Sequence, residues 1–243
     1  MNVKDIEKAI EESSFAIHKD YIKALIIPSI EISRSNSKIK IGSSKLGGIP
    51  DIPPSFECPQ HEYGYYRFVA QFNLKDISPP FSQLPKEGVL SVFIADDDEG
   101  ENFWGDDGYA KVYFFDNESD LKPSKNQYFS NQPCMSISLK NSVDIPFRNK
   151  LLKENPLSQS QLDELSYDIM EKLDKKLDYM FGYPFYSSLA YDPRPSENWI
   201  SLLTLSSIDE LDWCWHDGDF LMLFIEKEKL KQKDFSYIKS DAG

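Results

Sequence analysis

The sequence predicts an α+β fold, mainly β, in which two similar antiparallel β-units share one core. Apolar runs of strand length recur along the chain, whereas helix-period patterns are confined to the N-terminal segment and to a stretch near 159–180. A block of Gly-x-Pro loop, strand, acidic turn, glycine and apolar strand also occurs twice in the same order.

The N-terminal helix comes first. Ile6, Ile10 and Ile17, with Ala9 and Tyr21, recur at helix-like spacings, and Asp5, Glu7, Glu11 and Glu12 lie toward the helix N-terminus. Pro28 ends this helix before about residue 27. Ser29–Ser33 and Lys38–Ile41 then alternate polar and apolar about a Ser/Asn turn, which predicts a hairpin. Lys45–Pro54 is rich in Gly and Pro and is expected to be an irregular but ordered loop. Phe68–Leu74, Val89–Ile94 and Lys111–Phe115 read as strands buried on both faces, and Met135–Leu139 as half-buried. The second helix opens on a capping box, Ser158-x-x-Gln161. Leu162, Leu165, Ile169, Leu173, Leu177 and Met180 continue it at helix spacing to a stop at Gly182 and Pro184. Strands Ile200–Leu205 and Phe220–Ile225 follow, then a helical turn over Glu226–Lys231.

The repeated blocks cover about 44–115 and 180–238. Gly48-Ile49-Pro50 matches Gly182-Tyr183-Pro184 at an offset of 184 − 50 = 134, which carries Phe68–Leu74 onto Leu202–Ile208. The second strand fits at 218 − 88 = 130, from Gly88 to Gly218. A rival pairing sets Trp104-Gly105-Asp106-Asp107-Gly108 against Trp215-His216-Asp217-Gly218. The reading remains one domain over 1–243 with a possible internal repeat.

Composition narrows the function. Forty acidic against 27 basic side chains give a formal charge of −13, which repels phosphate backbones and argues against nucleic-acid binding. The same field attracts cationic partners. The N-terminus has no signal-like apolar run and no segment reaches the ~18 apolar residues of a membrane span, so a cytoplasmic protein without membrane contact is expected. Cys58, Cys134 and Cys214 are too few and too widely spaced for a disulfide framework.

Ser44-Lys45-Leu46-Gly47-Gly48-Ile49-Pro50, Phe68-Val69-Ala70-Gln71-Phe72-Asn73-Leu74, Gly182-Tyr183-Pro184 and the stretch from Leu202 through Trp215-His216-Asp217-Gly218 to Phe235 resemble the YwqG-like family of bacterial proteins, a domain of unknown function. The resemblance spans roughly 44–238 and implies a β-rich fold with no established activity. The family's Trp-Gly-Asp-x-Gly loop is Trp215-His216-Asp217-Gly218 here, which implies that His216 carries no family-wide role.

Two candidate sites emerge. Asp96, Asp97, Asp98, Glu99, Glu101, Asp106 and Asp107 place seven carboxylates within twelve positions of one loop, as a surface for a basic partner protein or as a solvated turn. A calcium-loop pattern fails there, with Gly100 at its fifth position and Asp107 at its twelfth. Gly47, Gly48 and Pro50, with Gln71, Trp215 and Asp217, are candidate lining for a pocket beside the Gly-x-Pro loop. Gln71 lies inside an apolar strand and its amide needs partners; Trp213 and Trp215 read as core plugs. Cys58 with His61 and Cys214 with His216 offer four zinc-type ligands at spacings unlike those of known zinc knuckles, so no metal and no cofactor are expected. There is no G-x-S-x-G elbow and no phosphate-binding loop. The functional expectation is a non-catalytic binding module, immunity- or antitoxin-like by analogy; the alternatives are an enzyme with a carboxylate-rich cleft and a self-associating scaffold.

Overall fold

The computed structural model describes residues 1–79, 81–97 and 100–243. Its strands are β1 (Ile27–Arg34), β2 (Lys45–Gly47), β3 (Asp51–Ile52), β4 (Gln60–His61), β5 (Gly64–Asn73), β6 (Val89–Ala95), β7 (Ala110–Phe115), β8 (Lys122–Pro123), β9 (Cys134–Asp144), β10 (Tyr179–Phe181), β11 (Trp199–Ser206), β12 (Phe220–Glu226) and β13 (Lys239–Ala242). All but β3 and β8 join one antiparallel sheet in the order β13-β12-β11-β10-β1-β9-β2-β5-β6-β7, with β4 on β5; β3 and β8 form a separate ribbon. The fold is thus α+β and mainly β. Every residue of β6 is buried, as is all of β12 up to Ile225, which explains their unbroken apolar sequences. The outermost strands approach each other: Phe114 of β7 lies 6.1 Å from Phe235, just ahead of β13, and Lys239 of β13 pairs with Asp107. The main core therefore lies inside a curled sheet, where Phe72, Phe93, Leu205 and Leu223 are among its fully buried side chains.

Helices cover the other side. α1 (Val3–Glu11) and α2 (Lys19–Ala24) pack Ile6, Ile10 and Ile22 with Phe15 against Leu162 and Leu165 of the second helical segment. A single helix from the N-terminus to residue 27 is not what forms. The chain breaks after Glu12, Phe15 takes the buried place, and Ile17 is 86% exposed. The second segment starts as expected, with both arms of the Ser158–Gln161 capping box present. It runs through α3 (Gln159–Glu164), a π-helical turn at Leu165–Ile169 and α4 (Met170–Lys172), and stops there, well short of Met180. Asp174, at φ 48°, forms a Schellman stop: its N–H reaches Glu171 O at 2.9 Å and the Lys175 N–H reaches Met170 O at 3.2 Å. Tyr179–Phe181 is then strand, held between β1 and β11.

Two other expectations are corrected. β1 makes no hairpin with 38–41; it lies between β9 and β10, where Ile30 and Ile32 are buried, while Lys38, Lys40 and Ile41 are exposed. Within Lys45–Pro54, Lys45–Gly47 is a sheet strand, because Leu46 pairs with both Ala70 and Met135.

The ladders repeat themselves. β5–β6 skips Val69 between Phe68↔Phe93 and Ala70↔Val92, and β11–β12 skips Leu202 between Ser201↔Phe224 and Leu203↔Leu223. Aligned on those bulges, the offsets are 202 − 69 = 133 and 224 − 93 = 131, each one residue from the sequence-based alignment. β2 meets β5 as Lys45↔Gln71, and β10 meets β11 as Tyr179↔Thr204, which keeps 179 − 45 = 134 for the loops. Gly48 and Gly182 share nearly the same φ, 77° and 73°. β9 flanks β2 as β1 flanks β10, and β1 and β9 pair at the centre of the sheet.

Candidate functional site

Each Gly-x-Pro loop is anchored by a buried Lys–Asp pair. Lys45 Nζ donates to Asp51 Oδ2 at 2.9 Å and to Ile49 O at 2.7 Å, and both charged side chains are at most 5% exposed. Gln71, fully buried, donates to Asp51 Oδ2 and to Ser43 O at 2.8 Å each, while its Oε1 accepts the Asp51 N–H at 3.1 Å. The Gly42 N–H adds a further bond to Asp51 Oδ2 at 3.0 Å. Gln71 thus has the partners its burial demands, and they are internal. At Gly48, φ is 77° and a Cβ would stand 2.7 Å from Cys134 Sγ, so glycine is required sterically. Pro50 is buried beside it. In the second loop Lys175 Nζ donates to Asp144 Oδ1 at 2.5 Å, Asp144 Oδ2 accepts the Tyr183 N–H at 2.9 Å, and burial pushes the Lys175 ammonium down. These are closed networks that fix loops.

The acidic loop joins β6 to β7, and its carboxylates divide into two roles. Asp98 and Glu99 lie outside the described residues. Asp97 accepts the N–H groups of Glu101 and Asn102 at 2.8 Å each, and Asp106 accepts the Phe103 N–H at 2.8 Å. The Tyr128 hydroxyl donates to Asp96, and Lys239 pairs with Asp107. His61 Nε2 lies 3.0 Å from Tyr65 O and 3.1 Å from Asp96 O, which assigns its proton to Nε2 and ties the loop base to β4. The clustered charge therefore partly serves to fold the loop. Glu101 and Glu62 remain exposed.

Aromatic rings that sequence reasoning missed stand exposed here, Phe103 on the loop, Tyr63 in the β4–β5 turn and Tyr191 between β10 and β11. Phe103 is 56% exposed, Tyr63 49% and Tyr191 53%. Glu62, then Glu101 and Asp97, push the Tyr63 phenol up, so these carboxylates share one local field. Phe103, Trp104, Tyr191, Pro193, Lys239 and Asp241 surround a shallow concavity of about 460 Å³. The signal was available: an Asn-Phe-Trp-Gly run has little reason to sit in a solvated acidic turn.

The structure brings the acidic loop to the second unit's turn, since the Trp104 and His216 rings meet edge-on at 5.6 Å. The same turn reaches the Gly47–Pro50 loop through Leu211, whose Cδ2 would stand 3.4 Å from a Cβ at Gly47. Trp215 is a core residue whose indole N–H donates to Ser206 O at 3.2 Å, with Trp213 packed 5.5 Å away. Asp217 is exposed at φ 52°. Cys58 is half-buried beside Ser124, its thiol pushed up by burial, whereas Cys134 and Cys214 are exposed. Among the described residues no group of three or more His, Cys, Asp or Glu side chains gathers to hold a metal, and no helix is long and apolar enough to cross a membrane.

Fold and site together define a β-rich α+β protein with a curled antiparallel sheet and an acidic, aromatic loop face. Residues 44–240 match the family described as Domain of unknown function (DUF1963), and the chain belongs to that family. No curated protein matches the chain. The matched span leaves out β1, α1 and α2, although β1 sits at the centre of the sheet.

Proposed function

We propose that the protein is a non-catalytic binding module of the cytoplasm, YwqG-like within its family and built from two related β-units. Its acidic face engages a basic partner protein, as an immunity or antitoxin protein would. The observation that carries this is the mixture on that face: Phe103 and Tyr63, about half exposed, stand among Glu62, Asp97, Glu101 and Asp106. Carboxylates steer a cationic protein in and set its on-rate. Open aromatic rings then give apolar area and cation–π contacts to its Arg and Lys side chains. A loop that only solvated a turn would need no rings. The recurring bulges and the two loop anchors support the two-unit reading.

The enzyme alternative draws less support. A concavity of about 810 Å³ is walled by Pro53, Phe56, Cys58, Tyr65, Pro123 and Lys125, with Glu57 as its carboxylate. The thiol there is pushed up by burial, opposite to an activated nucleophile.

The test uses Glu62→Gln/Glu101→Gln and Phe103→Ser variants, which spare the carboxylates that fold the loop. Immobilised protein should capture a protein of high isoelectric point at low salt. The charge variant should slow association about tenfold at low salt and little at high salt, and Phe103→Ser should speed dissociation. Capture at unchanged rates by both variants would sink the proposal.

A further inference from the structure

We infer that a second concavity, of about 570 Å³ between the β1 entry, the Gly182 loop, the β11 bulge and α5 (Lys227–Lys231), binds a small amphipathic anion: a short acyl chain or ring ending in carboxylate or phosphate. The site lies apart from the acidic loop and does not rest on the function proposed above.

Its interior is apolar. Pro28, Leu84, Phe181, Ile200 and Leu230 line it, and Leu84, Phe181 and Leu230 are buried in the main core. The volume is in the range of small-molecule sites, roughly 300–1,000 Å³. Ser201 also borders it, but stands opposite Phe224 in the ladder, so its side chain lies on the Trp199–Phe224 face and not on the face of Ile200 and Leu230. The residue is fully buried, and its hydroxyl makes no hydrogen bond among the described residues.

The mouth is cationic in a chain of net charge −13: Lys227, Lys231 and Lys233 line it. Lys227 Nζ donates to Glu197 O at 2.7 Å and Lys231 pairs with Glu228 on the surface, while Lys233 has no ion pair among the described residues. The strand registers sharpen the point. Ala95 of β6 and Glu226 of β12 hold matching places, so α5 follows one strand where the acidic loop follows the other. The two units carry opposite charge at the same position, and the basic one borders a pocket with an apolar floor. An anion with an apolar body satisfies floor and mouth together; a neutral lipid or a bare inorganic anion satisfies only one of them.

Calorimetric titration of the full chain with decanoate, decyl phosphate, decanol and inorganic phosphate tests this. Decanoate or decyl phosphate should bind one to one with a Kd below about 1 mM, and decanol and inorganic phosphate at least about tenfold more weakly. Lys231→Glu/Lys233→Glu should weaken binding of the anionic probe at least about tenfold, most at low salt. Ile200→Trp should block it by filling the cavity, with circular dichroism confirming that each variant folds. Saturation by decanol or phosphate as tight as by decanoate, binding unaltered in the double-lysine variant, or no saturable binding of either anionic probe would each overturn the assignment.

Discussion

Gln71 shows what a polar residue inside an apolar strand can mean. Its sequence setting left two outcomes, a structural bond or a ligand contact, and the geometry gives the former: both ends of its amide are spent on Asp51 and Ser43. The same network makes Lys45 the residue whose loss should matter most in the first loop. Removing one partner of a buried ion pair leaves the other charge dry and unpaired, a loss of about 3–5 kcal/mol. Lys45→Met should therefore lower stability by roughly that amount, read from urea unfolding midpoints at constant m-value. A drop below about 1 kcal/mol would mean that water reaches Asp51, contrary to its 2% exposure.

At the level of elements, what was legible followed from local pattern, and what was not depended on distant partners. The apolar runs of β5, β6, β11 and β12 could be read directly because burial on both faces leaves no polar position to confuse the period. Leu173, Leu177 and Met180 fit a helical period equally well, yet the Schellman stop at Asp174 and the pull of β1 and β11 on Tyr179–Phe181 override it. Nothing within β1 itself names β9 and β10 as its neighbours, so the alternation at 38–41 supplied a false one. The acidic loop was visible as charge; its contact with His216 through Trp104 was not, since residues so far apart in sequence meet only once the sheet curls. β1 yields the prediction at this scale. Ile30 is fully buried at the joint where the two halves of the sheet pair. Ile30→Ala should cost about 2–5 kcal/mol. Because β1 bonds to both halves, tryptophan fluorescence and far-UV circular dichroism should shift together in a single transition. Two separated transitions would mean that the halves hold their structure independently of β1.

For the molecule as a whole, buried phenols set an alkaline limit to stability. Burial, reinforced by Asp96, pushes Tyr109 up to about 12; burial with Asp144 does the same for Tyr183, and burial with Asp192 for Tyr186, each to about 12. An unfolded tyrosine titrates near 10. Between about pH 10 and 12 the unfolded chain has therefore released protons that the folded chain still holds, and stability falls as pH rises, by up to about 1.4 kcal/mol per pH unit for each such group. The ion-paired lysines Lys19, Lys75 and Lys239, held up by Glu11, Glu118 and Asp107, act in the same direction, weakened by their exposure to solvent. Lys175 opposes them: burial holds it down, so the unfolded chain binds the extra proton and this contribution grows with pH. The lysine's contribution is complete near the unfolded lysine value of about 10.4, whereas the phenols, buried Tyr179 among them, act above about 10, so the net change is a fall. Urea midpoints should thus hold up to about pH 9 and drop steeply by about pH 11, in step with tyrosinate absorbance near 295 nm. Tyr186 supplies the control, because its buried hydroxyl makes no hydrogen bond among the described residues. Tyr186→Phe should leave stability at neutral pH intact or slightly raised and flatten the alkaline fall by one proton's worth of slope. An unchanged slope in that variant, or phenols that all titrate near 10 in the folded protein, would show that these rings are not held neutral by burial.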